Sequence, residues 1–212
     1  MRSTSFYITF LLTFLIFTAS TAQNSKKLKG KDEVIFITTD LGDIVLLLSD
    51  KTPEHKKNFI KLAKDGFYDG TTFHRVLKDF IIQGGDPNTR AGGDSTRLGI
   101  GNPGYTLNSE FTDELKHDYG TVGMARQDDE INPSKSSSGS QFYIVLNKEG
   151  AHHLDGEYTV FGRVIKGMDI VEKISLLEID SDAIPIKRHE INIKVVKLKR
   201  KNIVKTFELD NF

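Results

Sequence analysis

Phe73-His74-Arg75-Val76-Leu77-Lys78-Asp79-Phe80-Ile81-Ile82-Gln83-Gly84-Gly85-Asp86 sets one arginine and one glutamine on either side of an apolar patch. The aromatic and β-branched residues at 72–76 and 80–84 predict two short strands there. Comparable runs at 121–125, 141–146, 159–164 and 191–198 are separated by glycine-rich connections. Many short strands with few helices predict a closed barrel. Ahead of them, 34–38 and 44–48 flank Asp40-Leu41-Gly42-Asp43 and predict an opening hairpin. Thr52 as N-cap with Pro53 at the first helical position begins a helix over 53–65, stopped by Gly66. A second helix over 168–175 carries Ile170, Val171 and Ile174 on one side. No internal repeat and no second folded domain is evident.

The 212 residues, 38% of them hydrophobic, suit one domain with a sizeable core. Arg2 followed by an apolar run at 6–17 and by Ala19-Ser20-Thr21-Ala22 predicts a secretory signal peptide at 1–22. The run is too short for the roughly 20 residues of a spanning helix, so no membrane span is expected after cleavage. Cleavage removes Arg2 and no acid, leaving 28 of the 29 basic residues against 29 acidic ones. That balance points to no polyanion, and no nucleic-acid partner is expected. The absence of cysteine excludes disulfides, a thiolate nucleophile and cysteine-ligated zinc. Residues 23–32 are polar and lysine-rich and are expected to be a linker, with the folded domain at 33–199. The end, 200–212, is expected to be a solvated tail. The chain is expected to be exported, to the periplasm first and the extracellular space second, and to be a monomer.

Two further motifs follow the first in order, Ser138-Gly139-Ser140-Gln141-Phe142-Tyr143 and Leu154-Asp155-Gly156-Glu157-Tyr158-Thr159-Val160-Phe161-Gly162. Together the three resemble the cyclophilin-type peptidyl-prolyl cis-trans isomerases, and the likeness runs over 34–198. It implies a mainly β fold, a closed eight-stranded antiparallel barrel capped by two α-helices, with the groove on its outer face. It implies an enzyme that accelerates rotation about X-Pro bonds in unfolded or flexible polypeptides, assists the folding of exported proteins and needs neither cofactor nor metal. Arg75 and Gln83 are then the catalytic pair, the arginine donating to the twisted imide and the glutamine holding it in register. Phe80, Ile81, Tyr143 and Leu154 grip the proline ring. Ala125, Arg126 and Gln127 offer backbone to the peptide, and Gln141, His153 and Tyr158 complete the groove.

The sequence departs from the best-known eukaryotic members in three places. His153 stands where tryptophan is frequent, Tyr158 where histidine is, and Ile81 where methionine is; tyrosine at 158 is familiar among bacterial cyclophilins, so the chain is similar to exported bacterial members. These changes leave room for a second reading, a proline-segment binding chaperone or scaffold with little catalysis. A structural envelope protein using the basic start of the tail is a third.

Other signals have plainer readings. Gly99-Ile100-Gly101-Asn102-Pro103-Gly104 spells a dinucleotide fingerprint, yet it lacks the preceding strand and following helix that phosphate binding requires, and it is expected to be a loop bordering the groove. His152-His153 diverge and lack a third ligand, and Asp128-Asp129-Glu130 lacks the spacing of a calcium loop. His74, next to Arg75 in a strand, is expected to be packed. Mass spectrometry of the exported chain should find Gln23 at its N-terminus; an intact Met1 would overturn the leader.

Overall fold

The structure, a computed structural model, describes residues 28–209; the expected leader at 1–22, the linker residues 23–27 and the last three residues lie outside them. Strands β1 (Lys31–Thr39) and β2 (Gly42–Leu48) form the opening hairpin, paired from Val34↔Leu47 to Thr39↔Gly42. The Thr39 hydroxyl donates to the Gly42 carbonyl and accepts from the Leu41 amide, closing the turn with a side chain. Strands β3 (Thr71–Leu77), β4 (Ile81–Gly84), β6 (Thr121–Met124), β8 (Phe142–Val145), β9 (Val160–Lys166) and β10 (Glu190–Lys199) complete a closed barrel in the order β1-β10-β3-β4-β8-β6-β9-β2. Two-residue strands β5 (Thr106–Leu107) and β7 (Ser137–Ser138) form a separate ribbon. The fold is therefore the expected one, mainly β with an eight-stranded barrel.

Alternation along each strand divides the apolar residues between two clusters. The inner one fills the lumen with Ile35, Ile37, Leu46, Val76, Ile82, Val122, Phe142, Ile144 and Ile191, and extends to helix α1 (Pro53–Lys64) through Phe59, Ile60 and Leu62. Phe142 is its aromatic hub: the rings of Phe59, Tyr68 and Phe73 stand edge-on to it at 5.3, 6.0 and 6.0 Å. Helix α2 (Met168–Ser175) buries Ile170, Val171 and Ile174, the stripe its spacing predicts. The outer cluster, with Ile81, Ala125, Tyr143, Val145 and Ala151 at its centre, lies on the other face of the same strands.

The start of α1 is satisfied in an unexpected way. Thr52 occupies the N-cap position but makes no capping bond with its side chain. Instead the Glu110 carboxylate accepts from the amides of Glu54 and His55 at 3.2 and 3.0 Å, placing a negative charge at the positive end of the helix. The same carboxylate holds His55 Nδ1 at 2.6 Å, and His55 Nε2 meets the Ser137 hydroxyl at 3.0 Å. Burial holds the His55 ring below its usual pKa, against the opposite pull of Glu110.

Residues 33–196 form one compact unit, and the described residues outside it, 28–32 and 197–209, group in another. The expected boundaries shift accordingly. Strand β1 begins at Lys31, and Asp32, assigned to the linker, is buried and ion-paired to Arg200 at 3.1 Å. The stretch expected to be a solvated tail contains a helix, α3 (Arg200–Phe207), in which Ile203 is fully buried. Its shortness hid it, because its apolar stripe is only a few residues wide. Three α-helices thus occur among the described residues where two were expected.

Removing the aromatic hub should leave a cavity that the lumen cannot close. Phe142→Ala is expected to cost about 3–5 kcal/mol of unfolding free energy, measured by urea denaturation; a loss under about 1 kcal/mol would show that the hub is not structural.

Candidate functional site

Strict alternation along β3 would send Phe73 and Arg75 to the same face. They go to opposite ones. Phe73 pairs with Gly84 and Arg75 with Gln83, so two residues of β3 stand against one of β4 and a bulge falls at His74. Phe73 and Val76 consequently both enter the lumen, whereas Arg75 is exposed on the outside and His74 is buried. The register then carries one row across the barrel wall, from Arg75 on β3 to Gln83 on β4 to Tyr143 on β8.

A one-directional chain of amides orients the arginine. Gln141 Nε2 donates to the carbonyls of Gly99 and Gly101 at 2.9 and 2.7 Å. Carbonyls only accept, so the Gln141 oxygen is turned the other way, where it accepts from Gln83 Nε2 at 3.0 Å. The Gln83 oxygen in turn faces Arg75, whose Nη1 donates to it across a long 3.4 Å. The glycine-rich loop is held from its own side by Asp86, a buried carboxylate accepting from the amides of Gly99 and Gly101 at 2.6 and 3.3 Å. It is a loop bordering the groove, as expected, and with Gln83, Gln141 and 125–127 it lines a cleft of about 350 Å³.

Beside this polar row lies the apolar notch. Ile81, Ala125 and Tyr143 are buried at its floor, and Leu77, Phe80, Leu154 and Tyr158 pack around them. Phe80 stacks on the exposed His153 at 5.6 Å between centroids. Tyr158 stands edge-on to Tyr143 at 6.1 Å and carries the Arg126 guanidinium over its ring at 4.6 Å. The Arg126 side chain is only 5% exposed and is engaged by Asp129 and Glu157, so it offers a peptide its backbone and not its charge. The residues expected in the groove therefore form one connected outer surface, Arg126 and Gln127 joining it through the cleft. Among the described residues no cluster of three or more metal-ligating side chains occurs.

Two residues to which the sequence assigned no role, His117 and Asp155, join this surface. His117 Nε2 meets the Tyr143 hydroxyl at 2.8 Å, and its Nδ1 meets Asp155 Oδ1 at 2.7 Å. Asp155 lies inside the third motif, but nothing local marks His117, whose partners are 26 and 38 residues away. Burial pushes the Tyr143 hydroxyl well above its usual pKa and holds His117 below the ordinary histidine range, with Asp155 opposing the latter. Burial would raise Asp155, but the bonds from His117 outweigh it and keep the carboxyl below its usual value.

Residues 34–197 match the family described as cyclophilin type peptidyl-prolyl cis-trans isomerase/CLD. The peptidyl-prolyl cis-trans isomerase cypE of Dictyostelium discoideum is 40% identical over 71% of this chain and 90% of its own length. The human peptidyl-prolyl cis-trans isomerase-like 1 is 36% identical over 77% of this chain and 89% of its own. A crystal structure of a Cryptosporidium parvum cyclophilin-type isomerase, determined in the presence of the dipeptide Ala-Pro, superposes with a TM-score of 0.66 at 32% identity, covering 77% of this chain and 98% of that one. These relatives are eukaryotic, so the bacterial likeness of Tyr158 has no support from them.

The Tyr143 ring lies across the backbone of Gly123, where an added Cβ would sit 2.3 Å from Cζ of the ring. Gly123→Ala must displace that ring. The expected result is a folded protein destabilised by about 1–3 kcal/mol in urea, with an altered near-ultraviolet tyrosine signal; an unchanged spectrum would contradict this packing.

Proposed function

We propose, from the premise that the chain belongs to the cyclophilin-type peptidyl-prolyl cis-trans isomerase family and is a peptidyl-prolyl isomerase, that it acts on proline-containing segments of exported proteins, with Arg75 as the donor to the rotating bond. Rotation about X-Pro breaks no bond, and no cofactor is required. The obstacle is amide resonance, a barrier of roughly 18–20 kcal/mol with exchange in tens to hundreds of seconds. Turning the bond about ten times per second requires removing on the order of 3–4 kcal/mol, since each 1.36 kcal/mol is tenfold. In the twisted state the prolyl nitrogen loses conjugation and becomes basic. A donor fixed beside it favours that state over either planar isomer.

The observation that carries this reading is the bulge that brings Arg75 onto the face of the notch. A proline ring seated among Phe80, Ile81, Tyr143 and Leu154 has one end of its bond fixed, and the planar guanidinium presents a rigid fork of donors beside it. Gln83 and Gln141 hold the arginine from behind, leaving its remaining donors for substrate. Ala125 is itself tied on both sides, its amide to Gln141 and its carbonyl to the Ser138 amide, which steadies the edge that Arg126 and Gln127 present to a peptide.

Work on exported clients, in the periplasm or beyond it, is supported by the apolar run at 6–17 and the small residues before position 23. Among the described residues no helix is long and apolar enough to cross a membrane. One observation favours the second reading, a chaperone that holds proline segments without turning them: His153 covers a face of Phe80, so an incoming ring must displace it.

A protease-coupled proline-peptide assay separates the two. Arg75→Ala should lower kcat/KM on the order of 10²-fold, the effect of losing one transition-state donor, while peptide binding followed by NMR persists. Equal rates in wild type and variant would sink the catalytic assignment.

A further inference from the structure

We propose that His117 is a positioning residue for the proline notch: by joining the Tyr143 floor to the loop that carries Leu154, it sets the width of the grip, and its uncharged form holds that grip tightest. The proposal rests on the function proposed above.

Residue 117 is bonded through every polar atom it has. Its amide and its Nδ1 both meet Asp155 Oδ1, at 2.9 and 2.7 Å, its carbonyl accepts from the Ala151 amide at 2.7 Å, and Nε2 meets Tyr143. Both the start and the middle of the 151–158 loop are thereby attached to one residue. Within the loop, the Leu154 amide donates to the Ala151 carbonyl and the Tyr158 amide to the Leu154 carbonyl, at 2.9 and 3.0 Å. One notch wall, carrying Leu154 and leading to Tyr158, is thus referenced to the floor through a single imidazole.

The chemistry of the partners fixes the direction of each bond. A carboxylate accepts, so Nδ1 carries the proton and Nε2 in the neutral ring is bare. The Tyr143 hydroxyl therefore donates to Nε2. A proton arriving at Nε2 reverses this bond, and the hydroxyl hydrogen must turn away into a site where Tyr143 is 3% exposed and makes no other hydrogen bond among the described residues. Leaving a buried polar group unmatched costs on the scale of a lost hydrogen bond. The ring still holds both partners, Nδ1–H to Asp155 and Nε2–H to the Tyr143 oxygen, so the strain falls on the stranded hydroxyl hydrogen, which finds a partner only if the Tyr143 ring shifts and loosens the floor against the wall.

The charged and titratable groups around His117 are known from each side. Asp155 stabilises the cation, whereas His152 and His153 oppose it. His152, half exposed, reaches Asp155 Oδ2 at 3.2 Å and Asp118 at 3.7 Å. Tyr158 and Arg126 act on the Tyr143 side. Burial is the largest influence and keeps His117 neutral below its ordinary value of about 6.5. A folded-state pKa below the unfolded one means the unfolded chain binds the proton first. The contribution is complete above pH 6.5 and is lost as pH falls beneath it.

The notch grips the ring in the planar and the twisted state alike, so loosening it removes uniform binding, which raises KM and leaves kcat nearly unchanged. A merely structural histidine would instead reduce the folded fraction. Isomerisation of a proline peptide without ionisable side chains, followed directly by NMR exchange from pH 7.5 down to the lowest pH at which the protein stays folded, reads this split, with the peptide Kd measured in parallel. In wild type, KM and Kd should rise several-fold across that range with kcat within about two-fold. His117→Gln, which can accept from Tyr143 without titrating, should keep the neutral-pH values at both ends. Tyr143→Phe should be flat and weak throughout. A flat wild type, an acid limb that survives in His117→Gln, or one that vanishes in His152→Asn, overturns the proposal. If wild type binds peptide but turns no bonds, the functional reading fails, and the pH dependence of Kd alone still decides for or against His117.

Discussion

The constraint on which the molecule depends is that a single strand must serve two sides of a wall. β3 must supply Phe73 and Val76 to the lumen and Arg75 to the outside, and three residues spaced in that way cannot do so under alternation. The extra residue at His74 resolves the conflict by local distortion of the ladder. Everything functional follows from that displacement: the arginine lands in the row of Gln83 and Tyr143, polar groups line up at one end of the groove and apolar ones at the other. A barrel with its lumen packed shut has its only usable surface outside, and the bulge is what gives that surface a charge.

The two apolar clusters do different work. The inner one is an ordinary packed interior, whose aromatic hub joins α1 to the wall. The outer one is half finished: its floor residues are buried by protein, whereas Phe80, Leu154 and Tyr158 are only partly covered. In the function proposed here a proline ring completes it. That incompleteness accounts for the number of polar ties around the notch, since walls lacking apolar neighbours on one side need hydrogen bonds to keep their places. The Gln141–Gln83 amides hold one side, Arg126 over Tyr158 another, and His117 the floor.

Much of this was legible along the chain, and what was not has a common cause. The strands and the first two helices were signalled by periods of two and 3.6 and by Pro53 and Gly66, all of them local. Most of the expected groove residues were recognisable because they sit in three contiguous motifs, whereas Ala125, Arg126, Gln127 and His153 lie outside these and came from the family likeness alone. The bulge was invisible, because a pattern of alternation carries no sign of an inserted residue. Glu110 capping α1 was equally hidden: Thr52 is the local candidate, and the carboxylate that replaces it is 56 residues from the amide it accepts. His117 was missed for the same reason, and α3 because its apolar residues, Ile203, Val204 and Phe207, are too few to set a period.

The amide chain behind Arg75 ends on the carbonyls of Gly99 and Gly101, whose own letters are held: Gly99 has φ +85°, and a Cβ at Gly101 would sit 1.9 Å from Asp86 Oδ1. Selection on the arginine's aim therefore reaches the path of that loop and its glycines but hardly the residues between them. Descendants of this chain could rewrite exposed positions such as Ile100, and with them the texture of the adjoining cleft, generation after generation while the donor stays pointed where it is. Drift in clientele can proceed there without any toll on turnover.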